Sequence, residues 1–408
     1  MKYINETGFP PKLREALNSL YLEGGLPTIR GTWFFVDPYA GSNANGGQSI
    51  DEAVADLETA YGLCTSGLGD GIAVLSGGTT TANTTSYLKQ SLTWSKHAIT
   101  VVGIASPTRL FSRARVSNSQ VATGSLTTIS FADTDGVYTI DRSAGSFVTD
   151  GFEAGQMVAV AANSGTNDGN YTIESVAAGS LTVTESVTDE DAATAGATTI
   201  TSYNPQMIVV SGDNNSFVNL HVGNFSSDDS ALGCVKVTGN RNSFIGCHFI
   251  GAGHATPGAV ATAYDLLLDG AQESTFVNCT FGTDTIIRGA ANANIVFDGT
   301  VWRSRFYNCE VLSYSATAGK GAVKSADATA LSGIQVFKEC QFLNWNPNGI
   351  SASTSAFIGT KPTSGALLMD GCSLVGWAAW DSVGGNDMVY VANTDATASG
   401  AGGIATTP

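Results

Sequence analysis

Five of the seven cysteines in this 408-residue chain stand at positions 247, 279, 309, 340 and 372, separated by 32, 30, 31 and 32 residues. Self-similarity at such a period marks a repeat architecture, in which each unit buries its apolar face against its neighbours rather than alone. The phrases around the cysteines agree with one another. They read Phe244-Ile245-Gly246-Cys247-His248-Phe249, Phe276-Val277-Asn278-Cys279-Thr280-Phe281, Phe306-Tyr307-Asn308-Cys309-Glu310-Val311, Phe337-Lys338-Glu339-Cys340-Gln341-Phe342 and Met369-Asp370-Gly371-Cys372-Ser373-Leu374.

The step of two from each cysteine to Phe249, Phe281, Val311, Phe342 or Leu374 puts both side chains on one face of a strand, and their apolar character turns that face inward. The step of three from phenylalanine to cysteine requires a bend or bulge, which suits the Asn or Gly just before Cys247, Cys279, Cys309 and Cys372. An earlier phrase, Phe217-Val218-Asn219-Leu220-His221-Val222, carries Leu220 in the cysteine slot, so the slot asks for a small or medium apolar group and not for sulfur chemistry. Second strands such as Cys234-Val235-Lys236-Val237 and Ile295-Val296-Phe297 lie between the phrases, giving at least two strands per coil. The fold expected is all-β, a right-handed parallel β-helix of the pectate-lyase-like kind. Leu220, Cys247, Cys279, Cys309, Cys340 and Cys372 should form an internal ladder at about 4.8 Å per rung. Stacked thiols point the same way and do not converge on one ion, and an odd number of cysteines in a chain with a large core is a poor disulfide framework.

The remaining segments divide the chain. Residues 31–119 form the entrance to the solenoid, with a strand at Trp33-Phe34-Phe35-Val36, a helix, and first coils through Ile72-Ala73-Val74 and Ile99-Thr100-Val101-Val102. Ser49 with Glu52 predicts a capping box, and Ile50, Val54, Leu57 and Tyr61 predict one helix face that plugs the open end of the core. Residues 120–203 break the repeat and read as five or six short strands, an inserted small β-barrel or sandwich module. Coils bearing the cysteine ladder occupy 204–393, and 394–408 is a tail of small residues. Residues 1–30 are a helical arm whose Leu13, Leu17 and Leu20 form a stripe that packs on its own domain or docks on a partner.

Nineteen basic residues against 35 acidic ones give a net charge of −16, which repels a phosphate backbone and excludes nucleic acid as a natural partner. Met1 to Glu6 lacks the basic and apolar regions of a secretory signal, and no apolar run reaches bilayer length, so synthesis in a cytosol without membrane insertion is expected. No local motif for catalysis, a cofactor or a metal is present. His221 and His248 share a repeat position and are expected to stack on the coil surface. Asp228, Asp229, Asp265, Asp269, Glu273, Asp298 and Asp370 read as turn residues. Trp345, Trp377 and Trp380 either offer indole faces to a glycan or cover the last coil. Arg109, Arg113 and Arg115 are the one basic spot in an acidic chain, a candidate for docking on an acidic partner.

The strand, turn and capping helix ahead of the first coil resemble the entrance of many parallel β-helix proteins. The phrase Asp141-Arg142-Ser143-Ala144-Gly145-Ser146-Phe147-Val148, followed by Gly169-Asn170-Tyr171-Thr172-Ile173, resembles small modules that recur in tailed-phage structural proteins. At the level of pattern, roughly residues 30 to 380 are similar to virion proteins of tailed bacteriophages. That resemblance implies a non-enzymatic structural protein on the particle surface, a head decoration or capsid-associated spike, homotrimeric, with other virion proteins as partners and no cofactor. Its alternative implication is a tailspike that binds or depolymerises host surface polysaccharide. The chain departs from tailspikes in having little before residue 30 and little after 380. A secreted pectate-lyase-like enzyme is a third reading, weakened by the missing signal.

Overall fold

The computed structural model describes residues 29–76, 85–105, 113–289, 291–315, 319–345, 355–377, 379–381 and 389–392. They form a parallel β-helix whose coils contribute three short strands, one to each of three parallel sheets of 11, eight and eight strands. The third strand arises because the phenylalanine-to-cysteine phrase is two strands rather than one bent strand. Ser243–Ile245 lies in the first sheet (A) and His248–Ile250 in the second (B), with Gly246 and Cys247 as the corner between them. Tyr264–Asp269, Ala293–Asp298 and Gly321–Ser325 belong to the third sheet (C).

The corner between sheets A and B places one residue per coil in the left-handed region: Asn219 (φ 55°), Gly246 (63°), Asn278 (53°), Asn308 (49°), Glu339 (55°) and Gly371 (63°). Glycine has no Cβ to clash there, and asparagine tolerates the conformation better than other residues. Asn308 Nδ2 also donates to Asn278 Oδ1 one rung back (2.8 Å), so the corner is tied along the solenoid axis.

In-register pairing stacks like on like inside the corner. Phe217, Phe244, Phe276, Phe306 and Phe337 form one column, with successive ring centroids 5.0, 4.8, 4.7 and 4.2 Å apart and planes within 7°. Rings prefer offset or edge contacts. Phe249 and Phe281 supply these from sheet B, at 5.7 Å and 85° to Phe244 and 5.7 Å and 67° to Phe276. The cysteines are buried and free. Each thiol donates to the carbonyl of the ladder phenylalanine one rung back: Cys247 to Phe217 (3.4 Å), Cys279 to Phe244 (3.3 Å), Cys309 to Phe276 (3.6 Å), Cys340 to Phe306 (3.5 Å) and Cys372 to Phe337 (3.3 Å). Leu220 occupies the same slot without a thiol and is equally buried.

Both described ends of the core are plugged by aromatic side chains. At the first, the helix is Leu57–Leu63 and begins later than the sequence suggests. Ser49 makes no capping hydrogen bond, and Asp56 caps the helix instead by accepting from Thr59 N (2.7 Å). The reason is strand pairing: Val54 N donates to Phe35 O, and Asp37 N to Val54 O, so Val54 extends beside the strand Trp33–Val36 and cannot be helical. Leu57 and Tyr61 still face the core, where the Tyr61 ring lies 4.2 Å from Trp94. Ile50 packs in a separate cluster outside sheet A. Toward the far end, Trp377 and Trp380 are 1% and 3% exposed, and Trp380 meets the rings of Phe342 and Phe357. Neither indole can reach a glycan; both cover the last coils.

The inserted module leaves the solenoid after the sheet B strand Ala114–Asn118 and returns at the sheet C strand Gln206–Val210, so it replaces one corner of one coil. Its six-stranded antiparallel sheet has a core of its own that includes Phe131, Ile140, Phe147, Val158, Ile173 and Leu181. The strand after it re-enters in register, pairing with Leu92–Trp94 on one side and Gly233–Val237 on the other. Gln156 Nε2 to Ser119 Oγ (3.0 Å), Ser202 Oγ to Ser119 O (2.9 Å) and the Lys89–Glu153 ion pair (2.7 Å) fasten the module at its root. No helix among the described residues is long and apolar enough to cross a membrane.

The ladder makes a quantitative distinction between its two columns. Cys309→Val should leave the fold intact with a loss of about 1–2 kcal/mol, whereas Phe306→Ala, which opens a gap between two stacked rings, should cost about 3–5 kcal/mol. Chemical denaturation midpoints compare the two. A larger loss at Cys309 than at Phe306 would mean that the thiol column has a role beyond packing and its weak hydrogen bonds to the Phe276 and Tyr307 carbonyls.

Candidate functional site

Strand alternation that points Ala114 and Val116 into the core points Arg115 and Ser117 outward. On this outer face of sheet B, successive rungs bring Thr85, Arg115, His221, His248 and Thr280 into one column. Where the column begins, the sheet meets the root of the inserted module, and the two enclose a cleft of about 640 Å³. Thr85, Tyr87, Arg115, Ser117 and Phe225 come from the solenoid, Gly253 from a later coil, and Ser119, Gln120 and Val121 from the root of the module.

Phe225 is held in place by backbone and by glycine. Its N–H donates to Asn118 Oδ1 (2.8 Å), and its ring lies against Gly223 and Gly253, where an added Cβ would come within 2.3 and 2.5 Å of the ring. The ring can lie flat on the sheet because these two positions have no side chain. His221 lies nearly parallel to it, with centroids 6.4 Å apart and planes at 14°.

Among the described residues, Arg115 is the one charged side chain in the lining, and its guanidinium makes no hydrogen bond or ion pair with them. Arg113 is committed elsewhere: its Nε donates to Gly246 O (2.6 Å) and its terminal nitrogen to Thr280 Oγ1 (3.4 Å). The sequence suggested stacked surface histidines at 221 and 248. They do meet, edge to face at 4.8 Å, but they are sunk into the flank. Burial, the neighbouring His248 and the two arginines push the His221 pKa down to about 3. Burial pushes His248 down to about 4, against the opposing pull of the Gly282 carbonyl that its Nε2 contacts at 2.8 Å. Both rings are therefore neutral near pH 7, and the positive charge of this face comes from the arginines.

The candidate carboxylates do not converge here. Asp269 pairs with Lys236 (2.7 Å), and Glu273 bridges Arg241 (2.7 Å) and Arg303 (2.6 Å). Asp228 and Asp298 accept turn amides. Asp265 is not a turn residue: it is buried inside the corner between sheets B and C, ion-paired with Arg288 and accepting from Gly251 N (2.7 Å) and Asn294 Nδ2 (2.8 Å). An isolated buried carboxylate would be very unfavourable, and these partners are what make its burial tolerable. Trp345 is 62% exposed beside Tyr314 on the same outer face, five strands along sheet B from Arg115. Arg109, Leu13, Leu17 and Leu20 lie outside the described residues. Among the described residues, no three His, Cys, Asp or Glu side chains gather to hold a metal ion.

Sequence reasoning singled out Arg115 by its charge but missed Tyr87, Ser117, Ser119, Gln120 and Phe225. They come from three different coils and the root of the module, and the inserted residues separate Arg115 from Phe225 in the chain. The available signal was the register itself: once Leu220 is aligned with Ala114, His221 falls beside Arg115.

No protein-family model matches the sequence, and no curated protein matches it. Among solved structures, the chain is similar to the pectin methylesterase of Aspergillus niger, at 13% identity and a TM-score of 0.48 over 93% of this chain and 92% of that one. It is similar also to the pectin methylesterase PemA of Erwinia chrysanthemi, at 12% identity and 0.46 over 93% and 94%. A third is the tailspike gp61 of Pseudomonas phage phi297, at 13% identity and 0.24 over 82% and 71%. The likeness is one of β-helical architecture and extends no further.

The two histidines give the flank a defined acid sensitivity. Their folded pKa values lie below the ordinary value near 6.5, so the unfolded chain binds protons more readily. Their stabilising contribution is complete above about pH 6.5 and is lost as the pH falls toward 4 and then 3. Denaturation midpoints measured from pH 7 to pH 4 should fall, and the fall should be shallower in His248→Gln. An unchanged slope in that variant would place the acid sensitivity elsewhere.

Proposed function

We propose that this chain is a carbohydrate-binding β-helix that recognises a glycan through the cleft between sheet B and the inserted module. The observation that carries the reading is the lining itself. The rings of Tyr87 and Phe225 give the lining aromatic surface, and Thr85, Ser117, Ser119 and Gln120 give it hydrogen-bonding groups. A sugar ring presents the complementary pattern, an apolar C–H face bordered by hydroxyls, and the volume is in the range of ordinary ligand sites. Arg115 and Ser117 stand on a strand paired on both sides, and Thr85 and Tyr87 on the edge strand beside it, which limits the ordering cost of binding.

Recognition is preferred to cleavage because, among the described residues, no carboxylate lines the cleft to act as acid or base. In biological setting, the proposal is an exposed protein of a phage particle that contacts a host surface glycan, acting as a homotrimer with other virion proteins as neighbours. A head-decoration role is the second reading. It draws support from the inserted module, which carries eleven carboxylates against the single basic residue Arg142 and so suits a solvated outer surface better than a contact.

Titration calorimetry of the full chain against host capsule or lipopolysaccharide fragments tests the first reading. Binding should be detectable and should weaken at least tenfold in Phe225→Ala at unchanged thermal stability. Binding that is indifferent to Phe225 would remove the cleft from the account, and new reducing ends in the incubated fragments would turn recognition into hydrolysis or elimination. Imaging of particles separates the two placements: many copies over the head favour decoration, and copies confined to the tail favour receptor binding.

A further inference from the structure

Resting on the carbohydrate reading of the cleft, we propose that its ligand is a heteropolysaccharide with an isolated acidic sugar set among neutral ones, and that Arg115 selects the carboxylate of that sugar. The first ground is the state of the arginine. In this acidic chain, Arg142, Arg241, Arg288 and Arg303 face Asp150, Glu273, Asp265 and Glu273, and Lys89 and Lys236 face Glu153 and Asp269. Arg115 faces no carboxylate among the described residues, and it lies in the cleft. A planar guanidinium with a free fork matches a planar carboxylate through two parallel hydrogen bonds.

The second ground is the company it keeps. The Ser119 hydroxyl lines the same cleft and, accepting from Gln156 Nε2, keeps its own proton to donate to an anionic ligand, and among the described residues no Asp or Glu lines it to compete. His221, the register partner of Arg115, is neutral near pH 7, so the local charge stays that of the arginine across the physiological range. A wholly neutral ligand that closed over the cleft would leave this guanidinium desolvated and unpaired, a penalty that a carboxylate-bearing ligand avoids.

The third ground limits the ligand to scattered acidity. One guanidinium can pair with one carboxylate, and the other described residues of the lining are uncharged. The adjoining module adds eleven carboxylates against Arg142, in a chain of net charge −16. That field repels a run of uronates, while an acidic sugar flanked by neutral ones meets only the local attraction; at about 0.1 M salt, charges farther than about 10 Å away are largely screened.

The experiment compares three trisaccharides against the full chain by titration calorimetry: one with a single glucuronate between neutral sugars, the same molecule with its carboxyl reduced to the alcohol, and trigalacturonate. The single-acid ligand should bind at least tenfold more tightly than its reduced form, and at low salt at least as tightly as trigalacturonate. Arg115→Gln should erase the difference between the two, weakening the acidic ligand and leaving the reduced one bound at least as tightly as before, and Arg115→Lys should restore part of the difference. Equal binding of the acidic and reduced forms, or an acid preference that survives in Arg115→Gln, overturns the role of Arg115. Trigalacturonate binding at least tenfold tighter than the single-acid ligand overturns the isolated-acid specificity. If none of the three binds and the host fragments do not bind either, the carbohydrate reading fails together with this one.

Discussion

In-register parallel pairing between successive coils is the constraint from which the rest of this protein follows. Strands about 4.8 Å apart place each side chain over its counterpart one coil earlier, so an amino acid chosen once is chosen for a whole column. Phe217 to Phe337 stack with nearly parallel planes because the rungs hold them so, not because rings favour that arrangement. Edge contacts from Phe249 and Phe281 restore the preferred geometry from the neighbouring sheet. The cysteine column fits the same logic. A thiol is small enough for the inside of a tight corner and still donates to the carbonyl that the turn leaves beside it.

The same register that builds the inside also arranges the outside. Thr85, Arg115, His221, His248 and Thr280 form an exterior column as regular as the interior ones, and its composition changes from rung to rung because solvent tolerates what the core does not. The cleft exists because one corner of this regular stack was replaced by a module. The insertion disturbs no pairing, since Gln206–Val210 returns to its place between Leu92–Trp94 and Gly233–Val237, but it raises a wall beside an otherwise open sheet. A repetitive flank thereby acquires one position unlike the others.

Electrostatics follow burial along the solenoid. Asp265 and Arg288 are taken into a corner together and satisfied by Gly251, Asn292 and Asn294, an arrangement that locks two coils without facing solvent. His221 and His248 are sunk far enough to stay neutral, while Arg115, half-buried at the edge of the same face, has no ion-pair partner among the described residues. These are three outcomes for polar groups on one scaffold, decided by depth and by which neighbour the register supplies.

Much of this was legible in the chain itself. Cysteines repeating at 30 to 32 residues, with Leu220 in the same slot, implied the coil, the inward column and its indifference to sulfur chemistry. Asn or Gly before the cysteine implied a bend there, and the structure makes it a left-handed corner, a conformation few other residues adopt cheaply. These features are local or strictly periodic, and a sequence displays such information directly. What only the tertiary structure decided depends on partners distant in the chain. Val54 pairs with Phe35 and so cuts the helix after Ser49 to a single 3-10 turn over Ile50–Glu52, Trp377 and Trp380 turn inward to close the core, and Asp265 finds Arg288 inside a corner rather than water at a turn. Tyr87, Arg115, Gln120 and Phe225 share one cleft for the same reason: a solenoid makes neighbours of residues a whole coil apart, and the insertion lengthens that separation without moving them apart in space.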